Sequence, residues 1–352
     1  LKRSLLTDGP LLQEFESTPS PSPRAQFAVG VSNATSALQL SLKVLGIQKN
    51  DEVILPDMTF VATGNAILNV GATPVIADVN NDMNISLDSI KENITSKTKA
   101  IIPVHFAGKM CDIKNIKKIA KTNNLFLIED CAHAIGAKFE NKHAGTFGDA
   151  GCFSFYPTKN ITTIEGGMVI CNSKNTAQGI QSFRNHGITR TLKQRFSAGK
   201  PWDYDEIEPG YNFRLDEIRA SLGISQLKKI SKLNNMRRKA CEYYTSKLKK
   251  IKGIESPEIS KSTDNAFHLY IIKIKKDYGI SRDKLFLKLL DSGIRTSVHY
   301  KPLHDFTIFK KMAKIKRGLN NSTTLYNEIL SLPLYPTITQ QEQDYVIHNL
   351  KN

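Results

Sequence analysis

Short apolar runs alternate with stretches in which apolar side chains recur every third or fourth residue. The runs are Phe27-Ala28-Val29, Val53-Ile54-Leu55, Pro74-Val75-Ile76-Ala77, Ile101-Ile102-Pro103-Val104, Leu125-Phe126-Leu127-Ile128, Gly151 to Tyr156 and Met168-Val169-Ile170. Unbroken apolar runs of this length, bounded by turn residues, read as buried strands. Among the intervening stretches, Ala34, Leu38, Leu42 and Leu45, with Ala37 and Val44 beside them, mark one face of a helix. Its cap chemistry is Ser32-Asn33 and its stop is Gly46. Leu87 to Ile94 and Ile113 to Ala120 are further helices. Strand and helix in alternation predict an α/β fold with a mostly parallel sheet.

The rhythm changes late in the chain. From Asp216 to Lys252 the helical pattern is continuous, with Gly223 the only glycine before Gly253. After it the expectation is a strand over Phe267 to Ile272, a helix over Asp283 to Leu290, a strand over Arg295 to Tyr300 and a last helix from Gln340. This divides the chain into a large α/β domain, 1–233, and a small C-terminal α+β domain, 234–352. Near the start, the alternating prolines of Thr18 to Pro23 remove backbone donors and force extended backbone, so a short loop is expected there.

Composition narrows the class without naming a function. Hydrophobic residues make up 40% and charged residues 23% of the 352, as in an ordinary globular enzyme. No apolar run approaches the ~18–20 residues that cross a bilayer, and no charged start with an apolar core marks a secretory signal. The five cysteines, Cys111, Cys131, Cys152, Cys171 and Cys241, form no C-x-x-C pair. That argues against a disulfide framework and a structural zinc site, and the expected setting is a reducing cytoplasm with no metal. The net charge of +16 gathers at Lys228, Lys229, Lys232, Arg237, Arg238 and Lys239 and again from Lys310 to Arg317. A solvated helix face accounts for such clusters, and no helix-turn-helix, RNP or zinc-finger pattern supports nucleic-acid binding.

The chemistry concentrates in Ser154 to Gly167, SFYPTKNITTIEGG. Pro157 stops one strand, Gly166-Gly167 opens the next, and Lys159 sits in the tight connection between them. A lysine so placed is carried on a rigid scaffold with its amine free to project. Other segments belong with it: Leu6-Thr7-Asp8-Gly9-Pro10; Asn33 to Leu38, NATSAL; Pro56 to Phe60, PDMTF; Glu129 to Ala137, EDCAHAIGA; Gly210 to Arg214, GYNFR; Thr296 to His304, TSVHYKPLH; and Leu330 to Pro336, LSLPLYP.

Taken together, these segments resemble the DegT/StrS family of nucleotide-sugar aminotransferases over nearly the whole chain. The resemblance implies the fold-type-I aminotransferase architecture, with a mostly parallel seven-stranded sheet, and pyridoxal 5′-phosphate as cofactor. It implies that Lys159 forms the internal Schiff base and then moves the proton, while Asp130 pairs with the pyridine nitrogen. His133 would face the phenolic oxygen and Phe60 would stack on the ring. Thr35 and Ser36, with Ser154, would hold the phosphate, and Asn212 would reach the phosphate of the neighbouring subunit in a homodimer. Thr7 would border the substrate pocket.

The expected donor is L-glutamate and the expected acceptor a keto sugar on a nucleotide diphosphate. The stretch from His186 to Tyr211 is most similar to the branch acting on UDP-linked 4-keto-6-deoxy-hexosamines. There Arg190, Arg195 and Lys200 would meet the diphosphate, and His299 the sugar. Two alternatives compete. A PLP-dependent sugar dehydratase is disfavoured by Lys159, because the best-known dehydratases of the family carry His there. A non-enzymatic binding role is suggested only by the basic charge.

Overall fold

The computed structural model describes residues 6–17, 25–190, 192–259 and 265–351. The loop expected over Thr18 to Pro23 lies outside them. Seven strands form the main sheet: β1 (Phe27–Val31), β2 (Glu52–Pro56), β3 (Thr73–Ala77), β4 (Thr98–Ile101), β5 (Phe126–Asp130), β6 (Ala150–Ser154) and β7 (Gly167–Cys171). Their spatial order is β1-β7-β6-β5-β4-β2-β3. Every pairing from β3 across to β6 is parallel, and β7 runs against both its neighbours, β6 and β1.

Strands β2, β6 and β7 are buried at every residue, which is why their sequences do not alternate. Successive side chains serve opposite faces. Ile54 and Leu127 join one hydrophobic cluster, whereas Val53, Leu55 and Ile128 join the other. The expected strand at Ile101 to Val104 is displaced: β4 begins at the polar Thr98 and ends at Ile101. Pro103 has no amide hydrogen to continue the ladder.

Helices cover both faces: α1 (Pro10–Ser17), α2 (Ala34–Val44), α3 (Val61–Asn69), α4 (Leu87–Asn93), α5 (Ile113–Thr122) and α6 (Lys174–Phe183). Then come α7 (Leu192–Ser197), α8 (Glu217–Leu227) and α9 (Ile230–Leu248). The single long helix expected from Asp216 to Lys252 is thus two. The break is at Lys228-Lys229, where the apolar spacing of Ile224, Leu227, Ile230 and Leu233 carries across the junction and conceals it. Gly223 does not break the helix. It admits the ring of Phe15, which lies 2.5 Å from where a Cβ would stand.

The C-terminal part contains a three-stranded antiparallel sheet of β8 (Ile254–Glu255), β9 (Tyr270–Ile274) and β10 (Ile329–Leu332). Its helices are α10 (Arg282–Asp291), α11 (Thr307–Met312), α12 (Asn320–Glu328) and α13 (Gln340–Lys351). The strand expected over Arg295 to Tyr300 is not one; that segment makes a single bridge, Ser297 to Ser331. The strand expected from Phe267 starts at Tyr270, because Phe267 has a left-handed φ of 54° that turns the chain. Helix α9 serves two cores: Ile230 packs in the large cluster, Cys241, Tyr244 and Leu248 in the C-terminal one.

The five cysteines are free and buried. Arg237 is not on a solvated face. It is buried, and its guanidinium donates to the carbonyls of His268 and Leu334. Among the described residues no helix is long and apolar enough to cross a membrane.

Candidate active site

Open parallel sheets gather ligands at the carboxyl ends of their strands. Asp130 is the last residue of β5, Ser154 the last of β6, and Asp57 to Phe60 lead from β2 into α3. The adjacent acids of β5 do different work because they point to opposite faces. Glu129 accepts from the amides of Gly145, Phe147 and Gly148 and pairs with His105, so it fixes a loop. Asp130 is buried and accepts from the Thr63 hydroxyl at 2.9 Å and the Ala132 amide at 3.1 Å. Burial pushes the Asp130 carboxyl up, and the Ala132 amide, Thr63 and the Lys159 ammonium oppose that.

Lys159 is half-buried, in a turn closed by its own amide on the Tyr156 carbonyl. Burial pulls the Lys159 ammonium down to about 8, with Asp130 acting against it. The next residue, Asn160, is buried and uses its whole amide. Its Nδ2 donates to the Ala266 carbonyl at 2.6 Å and to Asn234 Oδ1 at 2.8 Å, and its Oδ1 faces His268 Nδ1 at 3.0 Å. Asn234 in turn donates to the Ile135 carbonyl, and its Nδ2 lies 2.3 Å from where a Cβ on Gly136 would stand. That contact, with a φ of 90° at Gly136, explains the glycine of EDCAHAIGA.

Around the lysine stand three imidazoles and two aromatic rings. His133 is buried, with Nε2 3.1 Å from the Tyr300 hydroxyl and Nδ1 without a partner. His268 lies against it, ring centroids 4.3 Å apart. His299 Nδ1 meets Ser331 Oγ at 2.8 Å. Burial first, then the Lys159 charge, holds all three imidazoles below their ordinary range, His299 at about 4. Phe60 is 56% exposed, an unusual position for a core phenylalanine, and its ring centroid is 5.9 Å from that of Tyr300.

The start of α2 adjoins this chamber. Asn33 caps it, accepting from the Ser36 amide at 2.8 Å and the Ser36 hydroxyl at 2.9 Å. Ala34 needs no left-handed φ, so a glycine is not required there. Gly167, paired with Ser154 in the sheet, packs on the Asn33 backbone: an added Cβ would meet the Asn33 carbonyl carbon at 2.4 Å. Ser154, through its sheet partner Gly167, thus lies near the capped first turn of α2, which carries Thr35 and Ser36. The motif at the chain start has a structural cause as well. Glu217 occupies the space beside Gly9 and accepts from the amides of Gly9, Leu11 and Leu12.

The remaining residues are apart. Among the described residues, no hydrogen bond, ion pair or ring contact joins Thr7, His186, Arg190 or Asn212 to the chamber. Thr7 bridges Asp216 and Asn212 bridges Asn185. His186 and Asn212 are exposed. Arg190 is paired with Asp203 at 3.6 Å, and Arg195 lies over Tyr204. Asn212 does not cap the following helix; Asp216 does. Sequence reasoning passed over Thr63, Asn160, His268 and Tyr300. Tyr300 lay within TSVHYKPLH and Asn160 directly after the lysine, whereas nothing local marked Thr63 or His268.

The profile of the DegT/DnrJ/EryC1/StrS aminotransferase family matches residues 1–351. The chain belongs to that family. It is 40% identical to the uncharacterized protein MJ1066 of Methanocaldococcus jannaschii, over all of this chain and 92% of that one. It is 35% identical to the spore coat polysaccharide biosynthesis protein SpsC of Bacillus subtilis, again over all of this chain and 92% of that one. Helicobacter pylori PseC, an aminotransferase of pseudoaminic acid biosynthesis, superposes with a TM-score of 0.90 at 30% identity, covering 99% of this chain and 92% of its own. A putative sugar aminotransferase of Streptococcus pneumoniae, in its PMP form, gives 0.91 at 30%, covering 99% and 93%. It has also been solved in a PLP form. As a member of this family the chain is a sugar aminotransferase with a PLP-aminotransferase fold.

Proposed function

We propose that this family member moves an amino group from L-glutamate to C4 of a UDP-linked 4-keto-6-deoxy-hexosamine, making an amino sugar for a surface glycan. The cofactor is pyridoxal 5′-phosphate. The observation that carries the reading is that a half-buried Lys159 and a buried Asp130, the last residue of β5 at the carboxyl end of the sheet, lie near enough for each charge to act on the other. The unpartnered, buried Nδ1 of His133 and the capped start of α2 fit the cofactor's phenolic oxygen and phosphate. When bound, the cofactor supplies an electron sink for the carbon that loses a proton.

Asp130, as a carboxylate, would hold the proton on the pyridine nitrogen, and the Ala132 amide and Thr63 hydroxyl that it accepts from favour that charged form. Lys159 Nζ, near neutrality in part a free amine, takes and returns the proton at the substrate carbon. Phe60 covers the ring. Thr35, Ser36 and Ser154 bind the phosphate. Glutamate leaves as 2-oxoglutarate and the ketone becomes an amine, so no outside oxidant is required. Thr7, His186, Arg190 and His299 contact the nucleotide sugar, and Asn212 reaches the phosphate of a second subunit. Support for the dimer comes from exposed apolar side chains near that loop: Phe196 63%, Trp202 74% and Ile207 78%. The reading predicts a yellow protein that bleaches with glutamate and aminates UDP-linked keto sugars in preference to GDP- and dTDP-linked ones. A colourless protein that takes up no pyridoxal phosphate refutes it.

A further inference from the structure

His133 is held from three sides. Phe106 sits edge-on at 6.2 Å, His268 lies along its ring, and Tyr300 reaches Nε2. The placement of His268 is itself fixed. Asn160 Nδ2 must face the Ala266 carbonyl, which only accepts, so Asn160 Oδ1 faces His268 and that histidine carries its hydrogen on Nδ1. Tyr300 is wedged against Phe60 and Phe106, with centroids at 5.9 and 6.0 Å. Its segment is tied to β10 through Ser297 and Ser331, so it brings the C-terminal sheet to the cofactor chamber.

A neutral imidazole has one N–H and one lone pair. Burial keeps the phenol of Tyr300 protonated and the ring of His133 neutral. Which nitrogen of His133 bears the hydrogen then depends on which partner donates across the 3.1 Å contact. We infer that Tyr300 is a positioning residue: its hydroxyl donates to His133 Nε2, which holds the hydrogen on Nδ1 and offers it to the cofactor's phenolic oxygen. This rests on the reading above that His133 faces that oxygen. A donor at the phenolic oxygen withdraws negative charge from the nearby lysine nitrogen, so that nitrogen releases its proton at lower pH. Without Tyr300 the two tautomers of His133 mix and the donor weakens.

Two measurements test this. In the cofactor-free protein, long-range 15N–1H NMR of His133 should report the Nδ1–H tautomer; the Nε2–H tautomer in wild type overturns the proposal without any variant. In the cofactor-loaded protein, Tyr300→Phe should still take up pyridoxal phosphate. It should raise the pH midpoint of the visible absorbance band by roughly half to one pH unit, the size of one hydrogen bond. In a His133→Leu background, which can neither accept from Tyr300 nor donate to the cofactor, the same change should do nothing. An unmoved midpoint in Tyr300→Phe, or an equal shift without His133, overturns the proposal alone. Absence of any visible band in wild type overturns the cofactor reading and this inference with it.

Discussion

His304 Nδ1 lies 2.6 Å from Asp57 Oδ2, joining the loop after β2 to the C-terminal part of the chain. The same carboxylate takes the Ser322 hydroxyl and the His304 amide. The hydrogen bond to Asp57 raises the His304 imidazole above its ordinary 6.5, burial opposes it, the Asp57 and Asp305 charges add to it, and Lys310 acts against it. The folded state binds the proton more tightly than the unfolded state. The resulting stability is full below the unfolded value and fades as pH rises through the folded one. As pH rises above the ordinary imidazole value of 6.5, melting temperature should therefore fall more steeply in wild type than in His304→Gln. Parallel curves would show that the contact carries no proton-linked stability.

Thr63 should matter to catalysis although it touches no substrate. Thr63→Val keeps the shape and removes a donor to a buried carboxylate, an interaction of about 1.5–3 kcal/mol. Asp130 then loses a donor that favours its charged form, and burial pushes the carboxyl up with less opposition. Turnover should fall roughly tenfold to a hundredfold and recover in part at higher pH. A uniform loss across pH would point to displaced structure instead.

The lysine loop and the start of α2 meet at Gly167 without room for a methyl group. Gly167→Ala forces the Asn33 backbone away, at about 1–3 kcal/mol. Denaturant unfolding should show that loss, and the variant should need more pyridoxal phosphate for half-saturation. Unchanged stability with unchanged cofactor uptake would contradict the packing described for this corner.

Asn212 provides the test of a shared site. Lys159→Ala and Asn212→Asp are each expected to be inactive. If Asn212 acts in the neighbouring subunit, exchanging subunits between the two variants leaves one intact site per mixed dimer, and activity returns. A mixture that stays inactive after mass spectrometry has verified exchange removes both the shared site and the sequence argument for a dimer.

Much of this was legible in the chain because the determinants are local. The strands that carry Asp130 and Ser154 are buried on both faces and so read as apolar runs. Lys159 sits between a proline stop and a glycine pair, of which Gly167 is required by the packing at Asn33 and Gly166 by the Thr163 side chain. What stayed hidden depends on residues distant in sequence. Thr63 meets Asp130 across 67 positions, and Asn160 meets His268 across 108. The break between α8 and α9 leaves the apolar period undisturbed, and the turn at Phe267 uses a left-handed φ that no glycine announces.

The central claim is that Lys159 is the residue joined to the cofactor. Borohydride reduction of the yellow protein, followed by digestion and mass spectrometry, tests it most directly. The predicted result is one peptide carrying the reduced cofactor at Lys159, absent from Lys159→Ala, which should fold normally yet show no turnover. A label on another lysine, or full activity in Lys159→Ala, would contradict the account.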